Sequence, residues 1–235
     1  MYSLEKVVDY YAKTKLRTFE KELLKREVKK RGKILDLCCG TGRVAFPMAK
    51  RGFYVIGVDN SKKMIKKAED IARKNKTKNI KFLCNDATKI EFEKEAFDYI
   101  LLMDSSLPFI LSKEKREKIF KTAYVALKTD GKIIVSLGSF LHPKTFALLN
   151  YWNAKNIMKK LLDGNYPMGL NDMIVKSKKY DVDVFLHYFT PYEFMRLVKK
   201  AGFTRIRFYT ENELLGYKNK QLFKSLLDGY YVIQK

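Results

Sequence analysis

Three acidic residues sit at or near the ends of three short apolar runs, and two glycines follow the first run. Lys33-Ile34-Leu35-Asp36-Leu37 leads into Cys38-Cys39-Gly40-Thr41-Gly42, Phe53 to Val58 ends at Asp59, and Ile80 to Cys84 ends at Asn85-Asp86-Ala87. Apolar runs of this length, rich in β-branched and aromatic residues, read as buried strands. A helix-like segment, Arg43 to Arg51, separates the first two. In such a βαβ unit the carboxyl ends of adjacent parallel strands converge on one crevice, so Asp36, the glycine turn and Asp59 share a ligand site. Glycine serves a sharp strand-to-helix turn because it has no Cβ: it accepts positive φ and lets a ligand approach the backbone. Gly40 and Gly42 fit that role.

Two nucleotide-type ligands compete for the unit. Gly40-x-Gly42-x-x-Ala45 satisfies the loose dinucleotide fingerprint, with Asp59 at the ~20-residue separation expected of a ribose-binding acid. Asp36 separates the readings, because its carboxylate would stand where a pyrophosphate must lie, and like charges at that range are mutually unfavourable. A ligand with a ribose, an ammonium and a sulfonium but no phosphate would be attracted instead. S-adenosylmethionine is such a ligand.

Ile34 to Gly42 resembles the first motif of class I S-adenosylmethionine-dependent methyltransferases, and Val58-Asp59-Asn60-Ser61 resembles the family's second-strand acid, which holds the ribose hydroxyls. The family usually has glycine where Cys38 stands. The resemblance implies an α/β three-layer sandwich with a mostly parallel seven-stranded Rossmann-like sheet. It implies cofactor contacts from Cys38, Gly40, Gly42, Asp59 and Asn60, and from Met64 on the adenine face. Asn85-Asp86-Ala87 resembles the adenine-reading turn, and an N-terminal tyrosine, Tyr10 or Tyr11, would close over the cofactor. Asp104-Ser105-Ser106-Leu107, after the fourth strand ending at Met103, resembles the reaction-side motif of small-molecule methyltransferases, not the Asn-Pro-Pro-Tyr type that clamps a planar amine. That reading makes a small-molecule N or O acceptor the expectation, with an RNA acceptor as the alternative and a nicotinamide-dependent oxidoreductase third.

The 235 residues and 46% hydrophobic content suit one domain with a sizeable core. The expected organisation is a helical cap over residues 1–31, a core over 32–138 and 190–235, and a substrate lid over 139–189. Lys+Arg 48 against Asp+Glu 26 gives a net charge of +22, spread along the chain. That charge fits either a polyanionic partner or the lysine-rich surface of a thermophile-like composition. Three cysteines without metal-ligand spacing predict no metal and a reducing cytoplasm. No apolar run approaches membrane-span length, so no membrane partner is expected; the chain is read as a monomer or homodimer.

Local patterning places helices over 3–31 with Ser3 as cap, 61–74, 114–127, 144–161 and 191–200, and another within 211–229. Thr129-Asp130-Gly131 reads as a turn into the strand from Lys132. Two extended segments, Asn171 to Lys178 and Asp181 to Phe189, flank Lys179-Tyr180. In the lid, Trp152, His187 and Tyr188, together with Ser105, are the candidates for substrate binding, alongside His142 as the second histidine. Asp104 and His187 are the candidates for a general base, since histidine titrates near neutrality.

Overall fold

A seven-stranded sheet runs through the computed structural model, which describes residues 4–138, 143–164, 168–177, 182–216 and 228–235. The strands are β1 Lys33–Leu37, β2 Tyr54–Asp59, β3 Ile80–Cys84, β4 Phe97–Leu102, β5 Leu127–Gly138, β8 Arg205–Thr210 and β9 Asp228–Gln234. Their order is β3-β2-β1-β4-β5-β9-β8. The first five are parallel, and β9 runs antiparallel to both β5 and β8. Beside this sheet, β6 Asp172–Ser177 and β7 Val182–His187 form a separate antiparallel pair.

Both faces of the sheet are covered, which is why the strands read as continuous apolar runs. Alternation along β1 sends Ile34 to one face and Leu35 and Leu37 to the other. The Ile34 face packs on α2 Thr18–Glu27, α3 Ala45–Lys50, α4 Lys62–Lys74 and α8 Glu211–Leu215, through Leu23, Leu24, Met48, Ile65 and Leu214. The Leu35 face packs on α5 Lys113–Ala126 and α7 Pro191–Lys200, through Ile119, Phe120, Phe194 and Val198. The expected three-layer α/β architecture is therefore present.

Three local expectations are corrected. The single N-terminal helix is two, α1 Glu5–Lys13 and α2, broken across residues 14–17 without glycine or proline. The break lets Leu16 enter the core while α1 packs Val7 and Val8 on Met64 of α4. Thr14 Oγ1 closes α1 by donating to the Tyr10 carbonyl at 2.9 Å, and Glu20 opens α2 by accepting from the Arg17 N–H at 2.7 Å. The Thr129-Asp130-Gly131 turn is instead a bulge within β5: Phe97 pairs with Leu127 but Tyr99 with Lys132, and Asp130 takes φ 63°. Finally, α3 starts at Ala45 because the glycine loop holds residues 40–44 in turn geometry.

The helix expected over 144–161 is α6 Pro143–Leu162, and the one within 211–229 is the short α8. Ser3, His142, Lys179-Tyr180 and most of the segment after Gly216 lie outside the described residues.

Candidate active site

The sheet order reverses between β1 and β4, and a crevice opens at that point outside the carboxyl ends of the strands. A cavity of about 340 Å³ occupies it. The cavity brings together Tyr11, Asp36, Cys38, Gly40, Asp59, Asn60, Met64, Asp86, Ala87, Met103 and Asp104, all expected from the sequence. Gly42 lies on the neighbouring surface between α2 and α3, one step behind the lining.

The glycine loop explains why the crevice is open. Gly42 has φ 87°, and a Cβ there would meet Phe46 Cε2 at 2.7 Å, so its lack of a side chain is a packing requirement. Gly40 has φ 54°, yet a Cβ there would meet nothing within 4 Å. Its missing side chain leaves space that a ligand can fill. Cys38, with φ 58°, adopts the same left-handed conformation without being glycine, at roughly 1–2 kcal/mol. Burial pushes the thiols of Cys38 and Cys39 far up, and the nearby Asp36 and Asp59 add to this, so neither is a thiolate nucleophile.

Asp59 is held by the loop it serves. The Gly40 N–H donates to its Oδ2 and the Ser61 N–H to its Oδ1, both at 2.9 Å. Burial still holds its carboxyl above the usual range against these two bonds. Asp86 is set differently. Burial pushes it up, but the backbone N–H and hydroxyl of Thr88, each donating to Oδ1 at 2.8 Å, bring it below the usual range.

Asp36 is 2% exposed, and its Oδ2 has no hydrogen-bond partner among the described residues. Burial raises its carboxyl to about 7, with the Asp59 charge adding and Arg43 and the Ala45 N–H opposing. A partnerless buried carboxylate oxygen in a cavity wall is an unmet demand for a donor or cation. Together with the open Cβ position at Gly40, it fits a ligand that carries an ammonium beside a ribose.

No local pattern in the chain signals the ion-pair brace beneath the reaction side. Arg43 is 5% exposed at its side chain and donates both Nη1, at 2.6 Å, and Nη2, at 3.0 Å, to the buried Glu20 of α2. Nη2 also lies 3.5 Å from Asp104 Oδ1, and Arg17 Nη2 lies 3.6 Å from the same atom. Asp104 and Ser105 both have positive φ, 58° and 53°. This strained turn is pinned where Ser136 Oγ accepts from the Ser105 N–H and where Ser106 Oγ donates to the Met103 carbonyl, each at 2.8 Å.

The substrate-side residues are placed otherwise than expected. Ser105 faces a separate small cleft with Arg17, Glu20 and Ser136. Trp152, on α6, lies under the Lys155 ammonium at 4.5 Å and does not line the cavity. Nor does Tyr188, whose N–H donates to the Asn171 carbonyl at 2.9 Å.

His187 is 3% exposed and sits between two carboxylates, with Nδ1 2.6 Å from Asp172 Oδ1 and Nε2 2.9 Å from Glu193 Oε1. It fastens the β6-β7 pair to α7 and has no access to the cavity, so it is no general base there. The pair instead reaches the cavity through Asp183, Val184 and Phe185, beside Phe109, Ile110 and Leu111. Among the described residues, no cluster of three or more side chains is arranged to hold a metal, and no helix is long and apolar enough to cross a membrane.

Residues 34–131, less than half of the chain, match the family model described as a methyltransferase domain. This chain is similar to the Bacillus subtilis protein YqeM, named as a methyltransferase, with 31% identity over 109 residues, covering 46% of this chain and 43% of that one. It is also similar to the carboxy-S-adenosyl-L-methionine synthase of Nautilia profundicola, 28% identical over 187 residues, covering 79% of this chain and 75% of that one. A crystal structure of a Methanosarcina mazei S-adenosylmethionine-dependent methyltransferase superposes with a TM-score of 0.68 at 19% identity, covering 94% and 99% of the two chains, a likeness of fold. The matches span less than half the length of the first two curated relatives.

Proposed function

We propose that this chain binds S-adenosylmethionine in the crevice and transfers its methyl group to a nitrogen or oxygen of a small molecule. The observation that carries the reading is the pairing of Asp59, fixed by the Gly40 and Ser61 N–H groups, with the partnerless Oδ2 of Asp36 across an open glycine loop.

When bound, S-adenosylmethionine supplies an electrophilic methyl group on a sulfonium. Asp59 would accept from the ribose hydroxyls, and Asp36 would face the cationic methionine end. Met64 and Tyr11 would close over the adenine, and Asp86 would accept from its exocyclic amine. Methyl transfer asks the protein chiefly to align the nucleophile and exclude water. Phe109, Ile110, Val184 and Phe185 form the wall that does the excluding. Asp104 lines the same cavity and would take a proton from the acceptor. Within the segment 139–189 read from the sequence as a lid, the β6-β7 pair would cover the cavity.

The small-molecule reading is supported by the cavity's size, near the low end of ligand pockets, and by the small-molecule name of the relative that covers most of the chain. The net charge of +22 favours a second reading, an RNA acceptor. Calorimetric titration with S-adenosylhomocysteine, NAD and NADP, then bulk RNA at low and high salt, separates them. Micromolar binding of S-adenosylhomocysteine alone is expected. Binding of NAD in its place would overturn the donor assignment, and tight, salt-sensitive RNA binding would favour the second reading.

A further inference from the structure

The cavity is charged opposite to the chain around it. The protein carries +22, yet among the described residues the cavity is lined by the carboxylates of Asp36, Asp59, Asp86, Asp104 and Asp183 and by a single cation, Arg43. Arg43 is already committed to Glu20 through two short hydrogen bonds. Low-dielectric walls focus the field of such a lining, so a cation entering the crevice is attracted and an anion is repelled.

The carboxylates fall into two groups. Asp36, Asp59 and Asp86 lie on β1 and at the ends of β2 and β3, where the methyl donor is assigned. Asp104 and Asp183 lie on the other side, after β4 and on β7, with the apolar wall of Phe109, Ile110, Leu111, Val184 and Phe185. The arginines nearest Asp104 stand at 3.5 and 3.6 Å, longer than a charge-assisted hydrogen bond of about 2.7–2.9 Å. They orient Asp104 while leaving it acceptor capacity. Asp36 Oδ2, buried and without a partner among the described residues, belongs to the donor's side of the cavity, where it is assigned to the donor's ammonium. The volume of about 340 Å³ must also hold the donor, so the acceptor is small.

We propose that the methyl acceptor is a small amine with a flat apolar body, its nitrogen directed at Asp104 and its body lying against the wall formed by Phe109 and Phe185. The inference rests on the donor reading above. It names the substrate class of the same cavity, and it excludes a phosphate-rich acceptor from the reaction side.

Three probes of like size test it: phenethylamine, phenethyl alcohol and 3-phenylpropionate, titrated into protein saturated with S-adenosylhomocysteine and into protein without it. The amine is expected to bind at least tenfold more tightly than the carboxylate, with the alcohol between. In Asp104→Asn that preference should fall at least fivefold, and in Asp183→Asn by a smaller factor. Asparagine tolerates the left-handed conformation of position 104, and a retained cooperative thermal transition reports that each variant is folded.

Equal or tighter binding of the carboxylate, an amine preference that survives in both variants, or no binding of any probe to the loaded protein overturns the inference. Failure of S-adenosylhomocysteine itself to bind would instead refute the donor reading, and the amine preference would still be readable from the titrations without it.

Discussion

Replacing Asp36 by asparagine should stabilise the protein and disable its ligand site at the same time. The carboxyl is raised from the usual 3.8 to about 7, with burial the largest cause, at a residue only 2% exposed. At 1.36 kcal/mol for each pH unit, that displacement is worth about 4 kcal/mol. Between about pH 4 and 7 the folded chain holds a proton that the unfolded chain has released. Stability therefore falls as pH rises through that window and stays at its lower value above it. The asparagine of Asp36→Asn is neutral throughout and nearly isosteric. The variant should match the natural protein near pH 4 and exceed it by up to about 4 kcal/mol at pH 8, a rise in Tm of roughly 10 °C for a chain of this size.

Differential scanning calorimetry at pH 5 and pH 8, paired with S-adenosylhomocysteine titration at pH 8, reads both effects. Affinity should drop at least tenfold in the variant. If the stability difference is the same at both pH values, Asp36 does not carry an uncompensated charge. If affinity is unchanged, the carboxylate is not there for the ligand.

Further consequences can be measured separately. Arg43→Ala strands the buried Glu20 carboxylate and should cost about 3–5 kcal/mol by urea denaturation, with Arg43→Lys recovering only part because it cannot bond in bidentate fashion. Gly42→Ala should destabilise strongly through its clash with Phe46. Gly40→Ala should lose about 1–2 kcal/mol from its backbone but much more ligand affinity, since the added methyl projects into open space; equal stability losses would contradict the assignment of that space to a ligand. At His187 burial lowers the pKa, but the bonds to Asp172 and Glu193 outweigh it and hold the ring above its usual 6.5. The stabilisation this brings is fully present below pH 6.5 and disappears as pH rises through the folded value. Hydrogen exchange in β6 and β7 should therefore be faster at pH 9 than at pH 6 after correction for intrinsic rates, and His187→Gln should remove that difference.

What is legible in the sequence is what local rules govern. Asp36, Gly40, Asp59 and Asp86 can be placed because strand ends converge wherever parallel strands pair, and the apolar runs announce those ends. The brace from Glu20 to Arg43 is not legible, because it joins a helix and a loop that only tertiary packing brings together. Asp130-Gly131 carries a strong turn signal, yet the pairing of β5 with β4 continues on both sides of it and makes a bulge. His187 reads as a base from its chemistry alone. Its neighbours Asp172 and Glu193 come from two other elements, and they turn the ring away from the cavity. The residues that do reach the cavity, Val184 and Phe185, look like any strand interior, and no pattern in the chain distinguishes them.

The position of β9 sets an order on folding. Residues 228–234 insert between β5 and β8, so β8 has no neighbour in the main sheet until that strand is available. During synthesis, β5 spends the time needed to add about ninety residues as an unprotected edge, the kind of surface on which chains pair wrongly. The ligand crevice does not wait, because β1 to β4 and the glycine loop supply most of its lining and precede β5.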